Sequence, residues 1–279
     1  MPEKRQEQSA PDLGYLTAAT VLPGDTARVG ITLIGCGGTG GWLAPSLARL
    51  ARLMIEEGKD VSLMFCDPDT VEEGNLMRQN FCAAEIGLNK AVTLGARLAA
   101  AWGLEITAVP ERFGAQSHLS HRLRLFNDSL RVIVGCVDNA AGRKRMAASV
   151  GPRSWWLDCG NSESAGQVLL GNLTTDREMR QAFLSPQVCV GLPAPHVQAS
   201  DLLVARPEEM ARRATSCAEM AAANAQSLMV NQRVAAEAGD MLLRFLGGRL
   251  RRMASYFDLE SGSASARYIT QEECRRKRA

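Results

Sequence analysis

Val29-Gly30-Ile31-Thr32-Leu33-Ile34-Gly35-Cys36-Gly37-Gly38-Thr39-Gly40-Gly41 is the stretch from which the fold of this 279-residue chain is read. Its first six residues are a mostly apolar, β-branched run stopped at once by glycines, which is the pattern of a short strand buried on both faces. Residues 42–57 follow with Leu43, Leu47, Leu50, Met54 and Ile55 at helical spacing. In such a strand, turn and helix, backbone N–H groups meet a polyphosphate with no Cβ in the way, and the helix N-terminus favours negative charge. Gly35, Gly37, Gly38 and Gly40 are therefore candidate nucleotide-binding positions. A lone GxGxxG string is weak, and a tight structural turn is its plain alternative; the order strand, glycines, helix carries the reading.

The same alternation continues outward. Residues 61–66 read as a second buried strand, 89–102 as a helix, 104–109 as a third strand, 116–127 as a helix and 132–137 as a fourth strand. A helical stretch around 143–150 precedes strands at 154–158 and 167–170. Strands alternating with helices of this length predict an α/β fold with a mostly parallel sheet covered on both faces and functional loops at the carboxyl ends of the strands. Residues 174–207, rich in Pro, Gly and short polar side chains, read as a long excursion. Residues 207–246 are strongly helical, and 255–269 read as a hairpin turning near 260–263, placed at a sheet edge. The expected organisation is a leader at 1–28, a nucleotide-binding core at 29–172, a segment at 173–270 that completes the same domain, and a basic, solvated tail at 271–279.

With 46% apolar residues the chain can bury a full core. A net charge of +2 does not call for an extended nucleic-acid surface. The first ten residues lack the apolar run of a secretory signal, and no run approaches the roughly 20 residues that span a bilayer, so a cytoplasmic location without membrane association is expected. Eight cysteines lie scattered without a CxxC pair, several in apolar strand-like runs where a thiol behaves as a small hydrophobe, which fits a reducing compartment and gives no reason to expect zinc.

Asp67, closing the second strand, is the acidic residue expected near ribose hydroxyls, and a nicotinamide-dependent dehydrogenase would carry it too. The residues beyond it separate the readings: Asp67-Pro68-Asp69-Thr70-Val71, then Asn75-Leu76-Met77-Arg78-Gln79, then Gly87-Leu88-Asn89-Lys90, and later Asp138-Asn139 with Arg143. Over residues 29–160 this set resembles the motif chain of the ThiF/MoeB family and of ubiquitin-activating enzymes. The strand pair WLDCGN and GQVLLGN with the hairpin FDLESG is similar to ThiF-like proteins of the plasmid-borne PRTRC clusters, whose neighbours include a ubiquitin-like protein and a JAB-type peptidase.

The resemblance implies a Rossmann-like ThiF-type fold that uses ATP and Mg²⁺ to adenylate the C-terminal carboxylate of a small ubiquitin-like or sulfur-carrier protein. Such chemistry brings anions together, so cations and a metal matter first. Arg78 and Lys90 supply positive charge, Asp138 is the candidate Mg²⁺ ligand, and Asn75, Gln79 and Asp67 join the glycines as candidate nucleotide contacts. Taken singly, each has a bland reading: loop Arg, Lys and Asn are usually solvated, Gln79 could be structural, and a strand-terminal Asp often caps the next helix.

Cys217, at a position similar to that of the family's reactive cysteine, is the candidate thioester acceptor, with Arg212 and Arg213 nearby to favour the thiolate; Cys189 is its rival and an inert packed thiol the alternative. A homodimer is expected, with the helical stretch 221–246 (Leu228, Met229, Val234, Leu242 and Leu243) as its candidate surface and core packing as the equal alternative. Arg5 and Arg28 lie in no matching motif and are not assigned as the arginine the family supplies from a partner subunit. His118 and His121, one helical turn apart, read as an exposed face, and His196 ranks no higher than surface. The competing functions are a tRNA-modifying dehydratase that also adenylates, to which the weak charge is opposed, and a non-catalytic partner-binding relative, to which the intact Arg78, Lys90 and Asp138 are opposed.

Overall fold

The computed structural model of the chain describes residues 14–114, 130–151, 153–205 and 229–276. Its strands are β1 (Thr20–Val21), β2 (Arg28–Ile34), β3 (Asp60–Cys66), β4 (Ile106–Val109), β5 (Leu130–Gly135), β6 (Ser154–Asn161), β7 (Ala165–Gly171), β8 (Phe183–Ser185), β9 (Val188–Cys189), β10 (Arg252–Asp258) and β11 (Ala264–Tyr268). The α-helices are α1 (Gly14–Thr17), α2 (Gly38–Glu56), α3 (Lys90–Trp102), α4 (Ala140–Ala147), α5 (Asp176–Gln181), α6 (Pro195–Gln198), α7 (Val230–Leu246) and α8 (Gln271–Arg275).

Eight strands form one sheet in the order β11-β10-β7-β6-β5-β2-β3-β4. The five strands β6-β5-β2-β3-β4 run parallel, and β7, β10 and β11 add an antiparallel wing, so the fold is the mostly parallel α/β sheet expected. The chain steps from β2 to β3 and β4 on one side, then returns to place β5 on the other side of β2. The crevice where the order reverses, outside the carboxyl ends of β2 and β5, is where open α/β sheets bind ligands.

Alternation along the strands explains the two-sided burial. Ile31, Leu33, Leu63, Phe65, Val132, Val134, Trp155 and Leu157 face the larger core with α2, α3 and α7. Ile34, Met64, Cys66, Ile133 and Trp156 face a smaller core with Met146 of α4. Because both faces are covered, these strands read as continuous apolar runs with no polar alternation. Trp155 packs on Phe245 of α7, with ring centroids 4.5 Å apart.

The excursion carries its own structure: α5, α6, a 3₁₀ turn Ser200–Leu203, and the strands β8 and β9, which join β1 of the leader in a small sheet of order β1-β9-β8. The hairpin β10–β11 lies at the sheet edge as expected. The segment expected to be a tail from 271 instead begins as α8, capped by the Thr270 side chain, with Cys274 buried and Arg276 paired to Glu273 at 2.9 Å. The expected helix at 116–127 falls outside the described residues.

Candidate active site

Backbone bonds hold the carboxyl ends of the central strands together: the Gly35 N–H donates to the Cys66 carbonyl at 2.9 Å and the Cys136 N–H to the Ile34 carbonyl at 2.8 Å. The glycine loop crosses this stitched edge. Gly35 has φ +87°, and a Cβ there would strike the Cys136 carbonyl oxygen; a Cβ on Gly40 would strike the Gly35 carbonyl oxygen. Both glycines are thus required by the turn itself. Gly38 serves a different approach, since its Cβ would lie 2.8 Å from Asn231 Oδ1 of α7. Gly37, whose Cβ would only touch Gln79 at 3.6 Å, caps α2 without any side-chain hydrogen bond to the helix N–H groups. An N-terminus left uncapped by side chains is suited to an anion.

Asp67, almost fully buried, accepts the Cys36 N–H on Oδ2 and the Asp69 N–H on Oδ1 at 2.8 Å. Burial raises its pKa, against the pull of those two hydrogen bonds. Its carboxylate therefore shapes the glycine loop directly. Asn89 caps α3 by accepting the Val92 N–H at 3.0 Å, and its amide donates to the Asp67 and Asp69 carbonyls at 2.9 and 3.1 Å. That cap fixes Lys90 at the first turn, buried, with Nζ 3.8 Å from Asp69.

The Asn-Leu-Met-Arg-Gln stretch is shaped by its first residue. Asn75 is buried; its Oδ1 accepts the Glu72 N–H at 3.1 Å and its carbonyl accepts the N–H groups of Arg78 and Gln79 at 3.1 and 2.9 Å. Asn75 thus builds the turn that presents its neighbours. Arg78 is half-buried and its carbonyl accepts the Trp42 indole N–H at 3.2 Å. Gln79 is buried beside Gly37, and its Oε1 has no partner among the described residues. Asp138 follows β5 as an exposed side chain, with Oδ1 accepting from Asn139 at 3.3 Å, while Asn139 caps α4. A solvent-facing carboxylate just beyond the end of β5 is the donor type that Mg²⁺ prefers when it retains water.

Arg143, which completes the motif set, lies elsewhere. Its guanidinium is buried against Asp158 of β6 at 3.0 Å, so it serves the core of the sheet. Three polar residues that the sequence reading did not single out also meet at the loop: Asn161 donates to Thr39 Oγ1 at 3.1 Å and to Asn231 Oδ1 at 2.6 Å, and Thr39 donates to Asn231 at 3.1 Å. This cluster ties the start of α2 to the end of β6 and the start of α7. Asn161 closes a strand as Asp67 nearly does, which was its available signal; Asn231 sits in a helical stretch with nothing to mark it.

The sequence profile of the ThiF family matches residues 25–239. The chain belongs to the ThiF family. No protein of curated function matches it in sequence. Among solved structures it is similar to PaaA, with a TM-score of 0.57 and 17% identity over 88% of this chain and 74% of that one. It is also similar to Escherichia coli MccB crystallised with ATP, with a TM-score of 0.53 and 13% identity over 92% of this chain and 66% of MccB. MccB in complex with N-formylated MccA gives a TM-score of 0.55 and 14% identity over 92% and 67%. The chain thus spans about two thirds of MccB, and at these identities the likeness is one of fold.

Within this ThiF-family chain, Gly35, Gly37, Gly38, Gly40, Asp67, Gln79 and Asp69-paired Lys90 gather around the loop, with Asp138 on the adjoining strand end. Cys217, Arg212, Arg213, Leu228, His118 and His121 lie outside the described residues. Cys189 is fully buried in β9, and burial pushes its thiol up to about 12, away from the thiolate form a nucleophile needs. Cys36, Cys66 and Cys159 are likewise buried thiols with raised pKa, Cys36 and Cys66 chiefly by burial and Cys159 chiefly by its hydrogen bond with Cys136.

Proposed function

We propose that this ThiF-family protein activates the C-terminal carboxylate of a small ubiquitin-like or sulfur-carrier protein by adenylation with ATP. The observation that carries the reading is the glycine loop: an α2 N-terminus without a side-chain cap, at the β2/β5 switch point, shaped by the buried Asp67, with the buried Lys90 beside Asp69. MccB, a fold relative, has been crystallised with ATP, which supports ATP as the nucleotide.

In the proposed step one carboxylate oxygen of the carrier attacks the α-phosphorus, the bond from that phosphorus to the bridging oxygen breaks, and pyrophosphate leaves. An acyl-adenylate remains. ATP supplies the leaving group, and the metal would neutralise phosphate charge. The chain's part is positioning and charge: the α2 N–H groups would meet the phosphates, Lys90 and Arg78 would offset the negative charge gathered in the transition state, and Asp138 would hold Mg²⁺. Gln79 offers an amide beside Gly37. Asp67, through its hold on the Cys36 N–H, keeps the loop in the binding shape.

Hydroxylamine trapping tests this reading. Incubated with ATP, Mg²⁺ and a carrier ending in Gly-Gly, the protein should convert the carrier's terminus to a hydroxamate only when ATP is present; a carrier that stays unmodified while ATP binds would refute it. We further propose Cys217 as the acceptor of a later thioester, in which its thiolate attacks the acyl carbon and AMP leaves. A reductant-sensitive carrier adduct should then vanish in Cys217→Ala while adenylation persists; an adduct that survives the substitution removes Cys217.

A further inference from the structure

The start of α2 is tied to its neighbours by a closed triangle of side-chain hydrogen bonds. The Asn161 amide donates to Thr39 Oγ1 at 3.1 Å and to Asn231 Oδ1 at 2.6 Å, and the Thr39 hydroxyl donates to the same Asn231 oxygen at 3.1 Å. Each of these donor hydrogens has its own acceptor lone pair, so the triangle closes without conflict. Thr39 and Asn231 are buried, 6% and 1% exposed. Elsewhere α2 and α7 contribute Leu43, Leu47, Val234, Ala238 and Leu242 to one apolar core. Gly38 lies beside Asn231 and, eight residues further along each helix, Ser46 lies beside Gly239, so the two helices run side by side in one direction.

A closed, buried polar network specifies one arrangement more strictly than apolar contact does. What it fixes here is the first turn of α2. Thr39 sits between Gly38 and Gly40, and Gly38 admits no side chain because a Cβ would lie 2.8 Å from Asn231 Oδ1. That turn carries the helix N–H groups that no side chain caps. We propose, resting on the adenylation reading of the loop, that Asn231 is a positioning residue: through Thr39 it holds the α2 N-terminus in its anion-binding shape, with Asn161 bracing both.

Two measurements on the full chain test this: calorimetric titration with ATP and Mg²⁺, and hydrogen exchange without nucleotide at the Gly41 amide, which donates to the Gly37 carbonyl at 2.8 Å. Thr39→Val keeps the side-chain volume and removes the hydroxyl, so it should weaken ATP at least about tenfold and speed that exchange by a similar factor. Asn231→Ala should do the same, and should it fail to fold, the Thr39 variants still decide. Thr39→Ser, which restores the hydroxyl, should return both readouts to wild type. Val234→Ala, one turn further along α7, removes buried packing without touching the triangle, and should lower stability while leaving both readouts unchanged. Wild-type affinity or wild-type exchange in folded Thr39→Val or Asn231→Ala, or losses as large in Thr39→Ser or Val234→Ala, would overturn the proposal. Wild-type protein that binds no ATP would overturn the adenylation reading instead, and the exchange rates would still decide the role of Asn231.

Discussion

The Arg143 guanidinium meets the Asp158 carboxylate with both side chains nearly out of reach of water. Removing one member of such a pair leaves a buried charge uncompensated, so Arg143→Met should lower unfolding stability by about 3–5 kcal/mol. Urea denaturation checks this, and a loss below about 1 kcal/mol would show the pair to be dispensable. His196 gives a pH prediction. Burial lowers its pKa, so it stays neutral in the fold, while the unfolded chain takes up a proton near the ordinary value of about 6.5. The unfolded state then binds more protons, and stability falls as pH drops from the ordinary histidine value through the lowered one. In His196→Phe this part of the acid-side loss should disappear; identical melting-temperature profiles between pH 7 and 5 would contradict it. Positions were legible where strand, turn and helix alternate, as for Asp67 just after β3 and Lys90 in the first turn of α3. Arg143 was not, because its partner lies on the next strand and sequence spacing does not report a buried ion pair.

Elements were legible where burial imposes a period. The central strands are apolar on both faces because helices or turns cover both, and α2, α3 and α7 show their core stripes plainly. The small sheet β1-β9-β8 was not legible, since strands of two or three residues are too short for any period. Helix α7 realises the core-packing alternative at Val234 and Leu242, which are fully buried in the monomer, while Leu243 on the helix and Met229 just before it remain exposed. Phe245→Ala, which removes the ring packed on Trp155, should cost about 3–5 kcal/mol and loosen α7 from β6; a calorimetric loss under about 1 kcal/mol would deny the helix that anchoring role. Asn89→Ala removes the α3 cap together with the amide bonds to the Asp67 and Asp69 carbonyls. It should cost at least about 1 kcal/mol and weaken ATP binding, since Lys90 follows the cap. Unchanged ATP affinity would separate the cap from the site.

At the scale of the whole molecule, one eight-stranded sheet brings the glycine loop, the Asp67 turn and the β5 end together at the carboxyl ends of its parallel strands, and places the hairpin wing at one edge. The parallel half was readable from its strand and helix alternation. The closing of the sheet by β10 and β11, after an excursion of many residues, depends on long-range pairing that only the hairpin's edge character hinted at. We propose a homodimer as well, formed through a surface other than the buried stripe of α7; light scattering that gives a monomer at micromolar concentration, with and without ATP, would refute it. The central claim is carboxylate adenylation at the glycine loop, and exchange of labelled pyrophosphate into ATP in the presence of a carrier protein tests it most directly. The wild-type protein should catalyse carrier-dependent exchange, and Asp138→Ala and Arg78→Ala should each reduce it at least about tenfold, equivalent to about 1.4 kcal/mol of transition-state stabilisation. Absence of exchange from folded, ATP-bound protein with its carrier, or full exchange in both variants, would contradict the account.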